Sequence, residues 1–476
     1  MMAPAAALER NPLDVWAAQR IGAAPQTLTP EAIAAYQFRA IQQTVVWARS
    51  KSSYYAARLA VFPAEWPRSR DEFAQAPLTH PADIVERSHE FLCVPQSEIS
   101  RVVTLESSGS SGSRKRVFFT AEDQELALDF FAHGVAAMAA TGDRMLIALP
   151  GEREGSVGYQ LEQGIARVGV VPIPYGLILD PAAALDCMDR EKATLLIGLP
   201  VQALAVALES SEVARRVFRR LRTIVLCSDH VPENLMRRIR QATRCDIFEH
   251  YGSTEMGLGG GVDCHAHAGY HLRAADLHFE IISPTTGDPL DDGQTGEVVF
   301  TTLGRAGMPL IRYRTGDMGR IIAGSCSCGS PLRRMERVRN RVDSRVALGP
   351  EGSITIAELD EAIFAIPGVH DFTAALMAGR PNELQVRVYA PGPREGVAAE
   401  VERALMCCRP LATIVPRVSC SSTCSCRANY SRQRVRNERS GCNPFYEPHG
   451  HLSRSPRHHH LSRWKSLYWP DRGAPE

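Results

Sequence analysis

Lysine is nearly missing from this chain. Lys51, Lys115, Lys192 and Lys465 are the only four, beside 50 arginines in 476 residues, so the place of each lysine is informative. No uninterrupted apolar run approaches the roughly 18–20 residues that a bilayer-spanning helix needs, which argues against a membrane partner. The start, "MMAPAAALERNPLDVW", has no basic stretch leading into an apolar one, so no signal peptide is expected and the cytoplasm is the expected compartment. The Ser/Gly-rich stretch near residue 110 lacks the Gly-Lys-Ser/Thr ending of a Walker loop. No internal repeat is found.

What is present is a globular composition, 44% hydrophobic and 22% charged. The length exceeds what one core usually organises, so two domains are expected. Short apolar runs such as "RMLIALP", "VGVVPIP", "ATLLIGLP" and "LRTIVLC" alternate with helical patterns, which reads as α/β with a substantial parallel sheet. Residues 31–58 read as one long amphipathic helix. "LHFEIISPTTGDPLDDGQTGEVVFTTL" reads as an antiparallel hairpin, and a small α+β unit is expected from residue 342. The expected division is 1–341, 342–406 and a tail 407–476.

The tail stands apart. From Cys407 onward there are 11 Arg and one Lys against 4 Asp/Glu, giving +8 of a total of +1, and six of the 13 cysteines. It shows no sustained period of either kind. Two readings stay open: a disordered basic tail, or a shifted reading frame that replaces the end of the small domain. Nucleic acid is not the expected partner, because only this patternless segment favours it.

Three stretches carry chemistry. "LESSGSSGSRKRVFF" sets Ser107, Ser108, Gly109, Ser110, Ser111 and Gly112 between a strand-like run and Lys115. Glycines allow close backbone approach, successive N–H groups can nest an anion, and a linker is the plain alternative. "FEHYGSTEMGLGGG" offers an aromatic, Tyr251, and the oxygens of Thr254 and Glu255, which suit phosphate and Mg2+. "MPLIRYRTGDMGRI" places Asp317 in a turn after a basic strand, where a carboxylate can accept two hydrogen bonds from a ribose diol.

The order of these stretches, followed by "RNRVD", resembles the adenylate-forming superfamily, and its phenylacetate–CoA ligase-like branch in particular, over about residues 35–400. The resemblance implies a large adenylate-forming domain, a small C-terminal domain that looks truncated or replaced, and a two-step reaction. A carboxylic acid, aryl or arylacetic, attacks the α-phosphate of ATP, and the acyl-adenylate is then attacked by coenzyme A. It further implies that Ser107–Gly112 and Lys115 hold the terminal phosphates, and that Tyr251 with Ser228 and Asp229 brackets adenine. Gly252 and Ser253 belong to the same nucleotide loop; Thr254 and Glu255 meet the α-phosphate and Mg2+. Asp317, with Arg341 nearby, holds the ribose, and Asp343 is the hinge. The family usually completes adenylation with a lysine near its C-terminus, whereas here the only lysine after Lys192 is Lys465. Weak adenylation is therefore expected, since arginine does not reproduce a point-charge ammonium. Transfer to a carrier protein or an amine, and nucleotide binding alone, are the rival readings.

"VDCHAHAGYHL" and "GSCSCGSPL" supply Cys264, His271, Cys326 and Cys328, a donor set for a closed tetrahedral zinc site, with His265 the less favoured histidine. Reduced thiols and scattered histidines are the plain alternative. The acyl pocket is expected between residues 158–176 and the 252–261 loop, with Tyr159, Tyr175 and Met256 as candidate lining.

Overall fold

The computed structural model describes residues 11–106, 114–342, 344–348, 352–377, 383–391, 396–407, 415–421 and 459–461. The Ser107–Gly112 loop, the hinge candidate Asp343 and most of the expected tail lie outside the described residues.

Strands β1 (Arg101–Glu106) and β2 (Arg114–Phe119) pair antiparallel, with Leu105 opposite Lys115 and Glu106 opposite Arg114. The residues that flank the small-residue stretch are thus cross-strand partners. Next come β3 (Arg144–Ala148), β4 (Val171–Pro174), β5 (Leu195–Gly198), β6 (Thr223–Leu226) and β7 (Asp246–Tyr251). They lie parallel in the order β4-β3-β5-β6-β7, as the alternation of apolar runs and helices implied. Their runs are continuous because helices cover them: every residue of "LLIG" and "TIVL" is buried.

The sheet continues antiparallel through β8 (Gly261–Val262) and β9 (Tyr270–Leu272). A second sheet is built from β10 (Leu277–Ile282), β11 (Gly296–Thr302) and β12 (Tyr313–Gly319). The chain then crosses back, and β13 (Ile321–Ile322) and β14 (Arg334–Met335) complete the first sheet beside β9. Finally β15 (Asn340–Arg341) closes the second, with Arg341 opposite Asp317. The β10–β11 hairpin is the one read from the sequence, in register from Leu277 opposite Thr302 to Ile282 opposite Glu297.

Three expectations change. The helix of residues 31–58 is two helices, Pro30–Lys51 and Ser53–Arg58, because Ser52 adopts an extended conformation and its hydroxyl accepts from the Tyr55 N–H. Asp317 lies inside β12, not in a turn. Within the tail, Val415–Ser421 is a strand parallel to Glu383–Tyr389, with Val418 and Cys420 packed on the core at alternating positions. Asp371–Met377 pairs on the other side of that strand, and His459–Leu461 pairs with Asp371–Met377.

This C-terminal sheet and its helices Ile356–Phe364 and Val397–Met406 share a core with the helices of the large sheet. Polar contacts at two helix ends hold the junction. Glu361 accepts from the N–H groups of Glu233 (2.6 Å) and Asn234 (3.1 Å), capping a helix, Glu233–Thr243, whose own N-cap, Pro232, has no side-chain cap. From the same helix the buried Arg238 donates to the carbonyls of Val369 (2.6 Å), Pro367 (2.5 Å) and Phe364 (3.4 Å), and burial lowers its pKa to about 10. Arg238→Met would leave these acceptors unpaired, and a stability loss of about 1–3 kcal/mol is expected in urea denaturation. An unchanged midpoint would show that the junction does not depend on it.

Candidate active site

Two contact clusters meet along β12. Its burial alternates residue by residue, which sends Tyr313, Thr315 and Asp317 to one face. At one end Tyr313 donates to Glu255 (3.1 Å), and Lys115 at the start of β2 pairs with the same Glu255 oxygen while lying 3.4 Å from the Tyr313 hydroxyl. At the other end Asp317 accepts from the Tyr251 hydroxyl (2.9 Å) and from Arg341 (2.6 Å), which also donates to the Thr315 carbonyl (2.8 Å). Lys115, Tyr251, Glu255, Asp317 and Arg341, scattered over more than 220 positions, are thus brought together.

The electrostatics of the two carboxylates differ. Burial alone would raise Glu255, but Lys115, the Ser253 hydroxyl and a backbone N–H outweigh it and hold the carboxyl down at about 2. Burial raises Asp317, with Arg341 and the Tyr251 hydroxyl opposing the shift, because half-exposed Arg341 compensates less fully.

The turn between them is sterically determined. Gly252 has no room for a side chain, since a Cβ there would lie 2.4 Å from the Leu258 carbonyl oxygen. The turn Thr254–Gly257 reverses the chain, with Gly257 and Leu258 both at positive φ, 74° and 72°. Thr254 is buried beside Glu255. Ser228, after β6, also has positive φ (71°), and the Asp229 carboxylate accepts from the His230 N–H at 2.8 Å. A positive φ at Ser and Leu costs energy and tends to collect at functional sites.

Sequence reasoning missed Arg305 and Tyr313. Arg305 is buried, donates to the Glu255 carbonyl (2.6 Å) and lies 4.4 Å over the Phe119 ring, and burial lowers its pKa to about 10. It therefore ties the Glu255 turn to β2, the strand that carries Lys115. Tyr313 was legible in principle, four positions before Asp317 on an alternating strand.

An apolar cavity adjoins this site. Ser228 and Gly252 line it together with Phe131, Val157, Leu161 and Leu258. It lies between the helix Val157–Ala166 and the 252–258 turn, and none of Tyr159, Tyr175 and Met256 lines it. Met256 and Tyr175 are packed into two separate hydrophobic cores. On the helix Val157–Ala166 the positions of Val157 and Leu161, four apart, face the cavity.

The four candidate zinc donors lie close together. Donor atoms of Cys264, His271, Cys326 and Cys328 all lie within 4.8 Å of one another, with Cys264 Sγ 3.8 Å from Cys326 Sγ and Cys328 Sγ 3.3 Å from His271 Nε2. His265 is exposed and faces Asp246 instead.

Lys115→Met would leave Glu255 buried without its cation. A loss of about 3–5 kcal/mol is expected at neutral pH. Because the folded-state pKa of Glu255 is depressed, its contribution is present above the unfolded value near 4.5 and is lost as pH falls toward 2. The gap between wild type and variant should therefore narrow below pH ~4. A gap independent of pH would place the cost elsewhere.

Residues 70–306 match the family described as AMP-binding enzyme. The chain is 25% identical over 380 residues to the phenylacetate–coenzyme A ligase of Thermus thermophilus, covering 77% of this chain and 84% of that one. It is also 25% identical over 348 residues to the phenylacetate–coenzyme A ligase of Pseudomonas putida, covering 71% and 74%. A crystal structure of 2-hydroxyisobutyryl-CoA ligase in the postadenylation state superposes with a TM-score of 0.69 over 84% of this chain and 92% of that one, at 19% identity, which speaks to the fold. No helix among the described residues is long and apolar enough to cross a membrane. The chain belongs to the adenylate-forming, AMP-binding enzyme superfamily and is similar to its phenylacetate–coenzyme A ligase branch.

Proposed function

We propose that this protein is an acid–thiol ligase that uses ATP and Mg2+ to convert a carboxylic acid, aryl or arylacetic, to its coenzyme A thioester. The observation that carries this reading is the continuous contact from Lys115 through Glu255 and Tyr313 along β12 to Asp317, Tyr251 and Arg341, beside an apolar cavity. In the first step a substrate carboxylate oxygen bonds to the α-phosphorus of ATP and pyrophosphate leaves. In the second the coenzyme A thiol, losing its proton, attacks the acyl carbon and AMP leaves.

Such transfers need little covalent help from the protein; they need alignment and neutralised charge. Lys115 supplies a cation close in sequence to the stretch 107–113, whose serines and glycines would hold the terminal phosphates. Asp317 offers its carboxylate to the ribose hydroxyls, and Tyr251, Ser228 and Asp229 border the base. Glu255, held ionised, fits Mg2+ as a hard oxygen donor, and the ion would supply charge neutralisation at the phosphates. Thr254 stands beside it. Asp343 remains the position about which the C-terminal unit would rotate between the steps.

The three thiols and one imidazole fit a structural Zn2+, whose usual donors these are. Burial and the neighbouring sulfurs push the Cys264 thiol up, a cost that a bound dication removes. The site would staple β9 to the segment between β13 and β14.

A second reading, ATP binding with weak adenylation, is favoured by the lysine census. Acid-dependent ATP–pyrophosphate exchange separates the two. With a competent enzyme, Glu255→Ala and Asp317→Ala should each reduce exchange by about 10²–10³. Near-normal exchange in both variants would defeat the assignment, and ATP binding without exchange in the wild type would favour the second reading. Metal analysis after dialysis is expected to find one zinc per chain, lost on Cys326→Ser with Cys328→Ser; no stoichiometric metal ends that part of the proposal.

A further inference from the structure

The acid-binding cavity has one polar feature that packing does not explain. Strand β7 alternates, so Glu249 and Tyr251 turn to one face and His250 to the other. Tyr251 serves the Asp317 cluster, and Glu249 meets Arg337 at 2.7 Å. His250 faces the cavity, with its ring 6.3 Å from Phe130 and 6.2 Å from Phe131, two further lining residues. Among the described residues its Nε2 is fully enclosed and has no hydrogen-bond partner.

The imidazole is uncharged at neutral pH. Burial, helped by nearby Arg273, brings its pKa down to about 4. A neutral imidazole carries one donor and one acceptor. An unpaired polar group in such a wall is destabilising, and an apolar residue of similar shape would avoid that cost. The remaining lining is apolar apart from Ser228 and the Cys227 thiol, and that thiol already lies 3.7 Å from the Gly198 carbonyl. A charged substituent would therefore find no ionised group in the lining itself, and nearby Arg273 is already paired with Asp276.

Resting on the ligase reading above, we infer that the acid substrate is an aryl acid bearing one neutral hydrogen-bonding substituent, a hydroxyl or an amino group, and that His250 on β7 recognises that substituent. Phe130 and Phe131 supply the surface for the ring, and His250 discriminates among rings of the same size. Because an apolar pocket separates similar shapes poorly while a hydrogen-bonding one rejects the analogue that lacks the group, selectivity passes through this side chain.

Binding of non-reacting adenylate mimics tests this without requiring turnover. The probes are 5′-O-(N-benzoylsulfamoyl)adenosine and its three monohydroxy isomers, titrated calorimetrically against the full chain. Wild type is expected to bind one hydroxy isomer at least about tenfold more tightly than the unsubstituted probe. His250→Phe should bring the two within about twofold, and His250→Gln should keep the preference. No preference in wild type, or one that survives His250→Phe, overturns the inference and leaves the ligase reading standing. If no probe binds wild type, this inference fails, while the ligase reading stands or falls on the acid-dependent ATP–pyrophosphate exchange above.

Discussion

The buried contact of Lys115 with Glu255 is the constraint on which the rest of the site depends. A carboxylate that deep is tolerable only with a cation beside it, and the cation comes from a hairpin 140 positions earlier in the chain. The β1–β2 hairpin must therefore lie against the Glu255 turn, and Tyr313 must lie against both. Arg305 fixes the turn from its other side by holding the Glu255 carbonyl and covering Phe119. Once these are set, β12 delivers Asp317 four residues on, and the antiparallel register brings Arg341 opposite it.

The molecule divides its labour by the faces of single strands. On β12 the inward face carries the polar residues of both clusters. On β7 one face carries Glu249 and Tyr251 and the other carries His250, so the residues of the Asp317 cluster and of the apolar cavity are separated by the thickness of one strand. Ser228 and Gly252 lie at strand ends where the two regions meet, after β6 and β7 respectively. Sites at the carboxyl ends of parallel strands follow from this architecture, because loops there converge while the strands below stay packed.

Legibility in the sequence followed the chemistry of each residue. Lys115, Tyr251, Glu255, Asp317 and Arg341 stood out as candidates because ionised or aromatic groups in or beside short polar motifs are conspicuous, and the order of those motifs was specific. The four metal-donor candidates were readable for a similar reason, since thiols in Cys-x-Cys spacing stand out. The pocket lining was not. Tyr159, Tyr175 and Met256 were as plausible as Val157 and Leu161, and only tertiary packing sends the first three elsewhere. His250 was hidden beside a conspicuous motif, and Arg305 was one arginine of 50. The break at Ser52 was missed because the apolar period continues across it while the cap acts locally.

The crowding at Gly252 also bears on how such a pocket can change over generations. The wall formed by residues 252–258 is backbone against backbone, with a left-handed Leu258 and no space for a Cβ at Gly252, so it admits almost no variation. The opposite wall is helical, and Phe131, Val157 and Leu161 are side chains whose size can be altered without disturbing the main chain. The shape of the cavity can thus be redrawn along its helical wall while the turn stays as it is, much as a mould is recut on one half only.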